Sequence, residues 1–242
     1  MRTAVRAFAL CSVLAGCSDD SSAGDDDDKG NGGSPDASVK PYDPNWTDFD
    51  ASVDLVPDAE PPAKQHVWAD WTAATVTAQG SASAQLAISG VDGGIALTYS
   101  GGLDNAQIDG GIPYWVPGTA YTSVAVPNSP PETELIMLAG GNNSVHTLTF
   151  STPVKDPVLA IMSLGSIDTT TVCRFDDDFE LLSYGPGFYP EAQELKHLPD
   201  NKLAGRESNG SIRFKGTFTT IRWTAEISEP WYGLTVGLPS PQ

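Results

Sequence analysis

The amino-acid sequence predicts an all-β fold: a two-sheet, jelly-roll-like β-sandwich preceded by a disordered acidic linker. Short segments that alternate apolar and polar residues recur through residues 65–242, separated by Gly, Pro and Asn, which is typical of sandwich domains. No window of that region sustains the apolar period of an amphipathic helix. A region of this length can bury one substantial core. We therefore expect a leader over residues 1–16, a linker over 17–64 and one sandwich domain over 65–242.

The predicted strands start with a hairpin. Residues 85–89 and 95–99 flank Val91-Asp92-Gly93-Gly94, whose Asp-Gly pair favours the positive φ of a tight turn. Residues 191–198 are expected to form one or two turns of helix. The further predicted strands are 135–138, 145–150, 157–164, 171–175, 179–183, 211–214, 217–224 and 232–236.

The N-terminal segment has the features of a secretory signal. Two arginines form a positive n-region, and the apolar run from Ala7 to Leu14 is far shorter than the ~20 residues of a membrane-spanning helix. Leu14-Ala15-Gly16-Cys17 resembles the lipobox of bacterial lipoproteins. The resemblance implies cleavage before Cys17 and lipidation of its thiol, and two or three acyl chains together give stable anchoring. The alternative is an ordinary signal peptide with a chance cysteine.

The residue after Cys17 bears on location. In the lipoprotein pattern an aspartate there retains the protein in the inner membrane, and this chain has Ser18. The resemblance therefore implies export to the outer membrane or cell surface of a Gram-negative bacterium, with the membrane reached through the lipid anchor.

The segment from Ser18 to Lys64 is predicted to be an acidic stalk. It contains 13 acidic residues and 3 lysines, with frequent Gly, Ser and Pro. Such a composition buries too little apolar surface to offset chain entropy, and its like charges repel. A flexible chain of this length spans roughly 40 Å, which would hold the sandwich domain clear of the membrane.

Charge and cysteine content restrict the function. Residues 65–242 carry 18 acidic and 8 basic residues, so nucleic acid is excluded as a partner for lack of a basic stripe. Cys173 is the one cysteine of that region, which leaves no intramolecular disulfide and no cysteine metal cluster there. It lies in an alternating strand pattern, where a lone cysteine is expected to be a small buried apolar side chain.

Six short motifs follow one another along residues 66–238. They are Ala69–Thr72 (ADWT), Gly94–Gly101 (GIALTYSG), Thr147–Val154 (TLTFSTPV), Asp156–Gly165 (DPVLAIMSLG), Gly205–Gly210 (GRESNG) and Trp231–Gly237 (WYGLTVG). Together they resemble an uncharacterised domain of exported bacterial surface proteins that often carry a PEP-CTERM-type sorting tail. The resemblance implies an extracellular β-sandwich and no established activity. The chain departs from that group at its anchor, because a lipobox takes the place of the sorting tail.

Catalytic motifs are sparse in the sequence. It contains no Gly-x-Ser-x-Gly elbow, no His-Glu-x-x-His and no Gly-rich phosphate loop. His146 is expected to be an ordinary strand residue, since a general base depends on placed partners. A glycosidase would need two facing carboxylates; Glu207 is the weak catalytic candidate, with Glu226 or Glu229 as its partner.

Two features favour binding. Asp176-Asp177-Asp178 directly follows a predicted strand, and clustered oxygen ligands suit Ca²⁺; the alternative is a solvated turn. Aromatic residues in loops rich in Gly and Pro are the second feature, because their rings can form ligand platforms; the alternative is that they cap the ends of the sandwich. These candidates are Tyr114, Trp115, Tyr184, Phe188 and Tyr189.

Three functional interpretations follow from the sequence. The preferred one is a non-enzymatic surface lipoprotein whose sandwich domain binds carbohydrate, matrix polymer or an envelope protein, with calcium as its candidate cofactor. The second is an enzyme that acts on extracellular polysaccharide through Glu207. The third is a structural spacer without a small ligand.

Overall fold

The structure is a computed structural model and describes residues 64–240, apart from 140, 142, 190 and 228. The signal segment, Cys17 and the stalk up to residue 63 lie outside the described residues. Within them the chain is all-β, and no helix there is long and apolar enough to cross a membrane. Its strands are β1 His66–Trp68, β2 Asp70–Thr75, β3 Gly80–Leu86, β4 Ile95–Gly101, β5 Leu103–Gln107, β6 Leu135–Leu138, β7 Ser144–Lys155, β8 Val158–Leu164, β9 Thr171–Phe175, β10 Glu180–Gly185, β11 Lys196–Leu198, β12 Lys202–Gly205, β13 Ser208–Arg213, β14 Thr217–Ile227 and β15 Tyr232–Pro239.

Two antiparallel sheets pack face to face, which confirms the predicted β-sandwich. The seven-stranded sheet has the order β10-β13-β8-β15-β6-β5, with β1 also paired to β15. The eight-stranded sheet has the order β11-β12-β9-β14-β7-β4-β3-β2. Strands such as β3 alternate strictly between buried and exposed residues, because one face of their sheet meets the core and the other meets water.

The core between the sheets is aromatic at its centre. Phe175 packs edge-on against Phe214 at 5.3 Å between ring centroids and lies 5.6 Å from Trp223. Both sheets contribute to this cluster, since Phe175 and Trp223 belong to the eight-stranded sheet and Ile212 and Val236 to the other.

The outer face of the seven-stranded sheet is also buried. All seven residues of β8 are buried, and they divide by their period of two: Leu159 and Ile161 face the inter-sheet core, whereas Ala160 and Met162 join a second apolar cluster. The second cluster includes Trp115, Tyr121 and other residues from the connection between β5 and β6. That connection therefore covers the sheet, which explains why β8 reads as a continuous apolar run.

The differences from the predicted strands lie mostly at sheet edges. Residues 191–198 form no helix; they contain β11, whose residues Lys196–Leu198 pair with β12. The strands β1, β2, β5, β11 and β12 were not predicted, and β2, β5 and β11 are edge strands. The predicted hairpin is present, but its first strand, β3, begins earlier and ends at Leu86. Edge strands carry polar, short patterns such as the LDNAQ of β5, because only one side of the strand needs a partner.

Candidate ligand site at one end of the seven-stranded sheet

Four chain segments meet at one end of the seven-stranded sheet. Strand β8 is antiparallel to both β13 and β15, and β10 is antiparallel to β13. The C-terminal ends of β8 and β10 therefore lie beside the N-terminal ends of β13 and β15. This topology brings together the residues around Ser163, the segment 185–189, the turn 206–209 and Trp231.

Asn209 is the buried link between these segments. Its side chain is 1% exposed. The amide oxygen accepts hydrogen bonds from the Ser163 backbone N–H at 2.9 Å and from the Tyr121 hydroxyl at 3.3 Å. The amide nitrogen donates to the Glu207 carbonyl oxygen at 3.1 Å. A single side chain thus holds the turn, β8 and the covering connection in one arrangement.

Two residues of the site are held in the left-handed backbone region. Ser163 has φ 56° and Glu207 has φ 50°, a conformation that costs energy for residues other than glycine. At Ser163 the register between β8 and β13 shifts, so that an extra residue of β8 is accommodated as a bulge. The Ser163 hydroxyl donates to Glu207 Oε2 at 2.5 Å. Strained residues of this kind concentrate at functional sites.

A second carboxyl group lies next to this turn. Glu229 is 7% exposed, and its Oε1 accepts a hydrogen bond from the Gly165 backbone N–H at 2.7 Å. Burial is the main reason that the pKa of Glu229 is raised to about 8. The negative charge of Glu207 raises this pKa further, whereas the hydrogen bond from the Gly165 N–H lowers it. Near neutral pH the folded protein therefore holds Glu229 protonated, next to Glu207.

Four aromatic rings form a closed cycle of contacts, which we call the aromatic box: Tyr114, Phe188, Tyr189 and Trp231. The centroid distances around it are 5.0 Å from Tyr114 to Phe188, 5.2 Å to Tyr189, 6.2 Å on to Trp231 and 6.4 Å back to Tyr114. The interplanar angles lie between 58° and 85°. Neighbouring rings therefore stand at steep angles to one another instead of stacking.

The aromatic box lies against the polar turn. A Cβ on Gly187 would come within 2.4 Å of the Asn209 side chain, so the segment that carries Phe188 and Tyr189 passes directly over Asn209. Burial raises the pKa of Tyr189, and Tyr114 and the charge of Glu207 raise it further. Phe188 is 38% exposed, so the box opens to solvent.

Three of the five aromatic residues predicted to form a ligand platform lie in the aromatic box, and two do not. Tyr114, Phe188 and Tyr189 do come together, although the first two lie 74 positions apart in the sequence. Trp115 was wrongly predicted to be part of a ligand platform: it is 1% exposed, its indole N–H donates to the Glu134 carbonyl oxygen at 2.8 Å, and it packs edge-on against Tyr121. Tyr184 is 45% exposed but makes no ring contact with the box among the described residues.

Four residues of the site were not predicted: Ser163, Asn209, Trp231 and Tyr121. Asn209 is in the GRESNG motif beside Glu207, which was the available signal. Ser163 and Trp231 lie within or beside apolar strands, and nothing in their local pattern distinguishes them from packing residues.

The structure distinguishes between Glu226 and Glu229, the two carboxyl groups considered as partners of Glu207. Glu226 forms ion pairs with Arg174 Nε at 2.9 Å and with Lys202 Nζ at 3.0 Å. It lies on β14, in the eight-stranded sheet. Glu229, and not Glu226, is therefore the carboxyl group near Glu207.

The aspartates at 176–178, the predicted calcium ligands, directly follow strand β9. All three are exposed. Asp176 Oδ2 lies 4.0 Å from Arg222 Nε, and Asp178 Oδ1 lies 3.9 Å from His197 Nε2. No group of three or more His, Cys, Asp or Glu side chains in the described residues could hold a metal ion. These carboxylates face water and lie separately beside Arg222 and His197, so the arrangement gives the prediction of calcium ligands no support.

His146 is a buried strand residue, as predicted. Its Nδ1 lies 2.6 Å from the Tyr99 hydroxyl, which itself donates to the Gly102 carbonyl oxygen at 2.9 Å. The ring nitrogen Nδ1 must then carry the proton, and Nε2 accepts from the Ser144 hydroxyl at 3.0 Å. Burial lowers the pKa of His146 to about 4, and the ring stacks on Trp223 at 5.3 Å.

Cys173 is buried, as predicted for a lone strand cysteine. Its thiol donates a weak hydrogen bond to the Tyr232 hydroxyl at 3.8 Å. Burial raises the pKa of this thiol to about 12, so it stays protonated and unreactive.

Comparison of the chain with family models, with curated proteins and with solved structures finds no match.

Proposed function

We propose that this protein is a membrane-anchored surface lipoprotein whose sandwich domain binds carbohydrate without catalysing a reaction. The observation that carries the proposal is the aromatic box beside Glu207. Flat rings bury the apolar faces of pyranose sugars, and neighbouring polar groups bind their hydroxyls.

The arrangement of the box supports a preformed site. Tyr114 and Trp231 are partly buried against the second apolar cluster, which fixes their positions before a ligand arrives. Asn209 fixes the turn of Glu207 through its hydrogen bond to the Glu207 carbonyl oxygen. A rigid site loses little conformational entropy on binding, and this favours affinity.

The anchor and the stalk complete the proposal. Lipid on Cys17 would attach the chain to the membrane, and the acidic segment that follows would place the sandwich domain at a distance from it. A domain displayed in this way is suited to contact with a surface polymer or the matrix.

The test is a glycan-binding array with the chain from residue 17 onward, carrying Cys17→Ser so that it remains free of lipid. We expect selective binding that is lost in Phe188→Ala and retained in Tyr184→Ala, the matched aromatic control outside the box. Equal binding by both variants, or a blank array, would reject the proposed site.

A polysaccharide hydrolase is the second candidate function, and one observation favours it. Glu229 carries a raised pKa beside Glu207, and an acid and a base whose environments differ can divide the roles of glycosidic cleavage. Release of reducing ends from a bound polysaccharide, abolished in both Glu207→Gln and Glu229→Gln, would establish this activity. Binding without release favours the first proposal.

A further inference from the structure

We propose that the aromatic box selects sugars that carry a free, protonated amino group, with Glu207 as the counter-charge. The ligand class is an amino-sugar polymer in its de-N-acetylated form. This inference rests on the proposed function, because it concerns the ligand of the same site.

The rings provide the first reason. The face of an aromatic ring carries negative electrostatic potential, and a cation within about 6 Å of the ring centroid is attracted to it. In the aromatic box, rings from three separate chain segments contact one another at steep interplanar angles, so their faces point in different directions. A protonated amine bound against the box would be attracted to the ring faces that it meets, whereas a neutral group would gain only apolar contact.

Glu207 provides the second reason. Its Oε2 accepts the Ser163 hydroxyl, and in the described part of the chain no lysine or arginine forms an ion pair with it. The adjacent Arg206 points elsewhere, because its Nη2 donates to the Ile167 carbonyl oxygen at 2.6 Å. The carboxylate of Glu207 thus has a hydroxyl donor and no cationic partner, so a ligand ammonium group can supply the charge-assisted hydrogen bond.

The charge of the surroundings points in the same direction. Residues 65–242 carry ten more acidic than basic residues, which gives the domain a negative electrostatic field. This field attracts a polycationic sugar chain and repels uronic acids or sulfated sugars. Acetylation of the amine removes the charge and leaves the pyranose ring unchanged.

The experiment is titration calorimetry in mildly acidic buffer, where the amine of glucosamine is protonated, with the Cys17→Ser chain from residue 17. The two probes are a β-1,4-linked glucosamine oligosaccharide and the N-acetylated oligosaccharide of the same length. A charge-assisted hydrogen bond predicts that the free amine binds about tenfold tighter or more. Added salt should reduce that preference.

Three variants separate the contributions. Glu207→Gln should remove the preference for the free amine, because it keeps the shape of the side chain and loses its charge. Asp92→Asn should keep the preference for the free amine. This control removes one negative charge from the exposed turn between β3 and β4, which belong to the eight-stranded sheet. Phe188→Ala should weaken the binding of both oligosaccharides.

The outcomes distinguish the two proposals. If the N-acetylated sugar binds as well as the free amine, or if Glu207→Gln keeps the preference, amino-sugar selectivity is wrong and carbohydrate binding stands. If neither oligosaccharide binds while other glycans do on the array, selectivity is again wrong. If no glycan of any kind binds, the proposed function fails and the inference fails with it.

Discussion

Glu229→Gln should change the pH dependence of stability. The pKa of Glu229 is raised from 4.5 to about 8 in the folded protein, whereas in the unfolded chain this carboxyl group ionises near 4.5. Between these values folding requires the group to take up a proton, so the wild-type protein loses stability as the pH rises through that window. The full difference corresponds to about 5 kcal/mol, and at pH 7 the loss has reached about 3 kcal/mol.

Glutamine removes this dependence because it stays neutral. It also keeps an oxygen that can accept the hydrogen bond from the Gly165 N–H. We therefore expect the variant and the wild type to be similar in stability near pH 4.5, and the variant to be more stable by a few kcal/mol at pH 8.

Urea unfolding, monitored by tryptophan fluorescence at several pH values between 4.5 and 8, measures the difference. Glu226→Gln is the matched control, because Glu226 is a more exposed carboxylate paired with Arg174 and Lys202, so its removal should not produce a stability gain that grows with pH. Parallel stability curves for Glu229→Gln and the wild type across this range would refute the assignment of a buried, protonated Glu229.

Three further predictions concern packing and anchoring. Gly210→Ala should lower the free energy of unfolding by about 3 kcal/mol or more, because its Cβ would lie 2.1 Å from a backbone oxygen of β10; Gly141→Ala, whose Cβ meets no atom within 4 Å, should be neutral in the same denaturation assay. Trp115→Ala should cost about 3–5 kcal/mol, whereas Phe188→Ala should cost far less while losing glycan binding, and equal costs in a thermal melt would contradict the division of the aromatic residues into core and site. Cys17→Ser should abolish incorporation of labelled fatty acid and move the protein out of the membrane fraction; persistent membrane attachment would disprove the lipobox interpretation.

The sequence identified the central strands well, because their patterns depend on local periodicity. Strands β6 and β9 have the predicted bounds, and β8, β14 and β15 differ from prediction by a few residues at their ends. The edge strands β2, β5 and β11 were missed, because a short polar segment such as β11 becomes a strand only when β12 is beside it. The helix predicted for residues 191–198 does not form for the same reason, since strand pairing outweighs local helix propensity.

The site was only partly visible in the sequence. Glu207, Tyr114, Phe188 and Tyr189 stood out as a carboxylate and as loop aromatics. Their partner Trp231 did not, because it adjoins an apolar strand and looks like a packing residue. Trp115 was misassigned because a loop position in sequence does not reveal that the connection folds back over the outer face of a sheet.

The sequence by itself determined the all-β class, the acidic charge and the inventory of carboxylates and rings, because these depend on composition and on local periodicity. The tertiary structure decided which of them meet. The antiparallel order of β10, β13, β8 and β15 brings segments from distant parts of the chain to one end of a sheet, and the burial of Asn209 and Glu229 at that end creates the strained turn and the shifted pKa. Both are properties of the packed environment, and no local pattern of residues carries them.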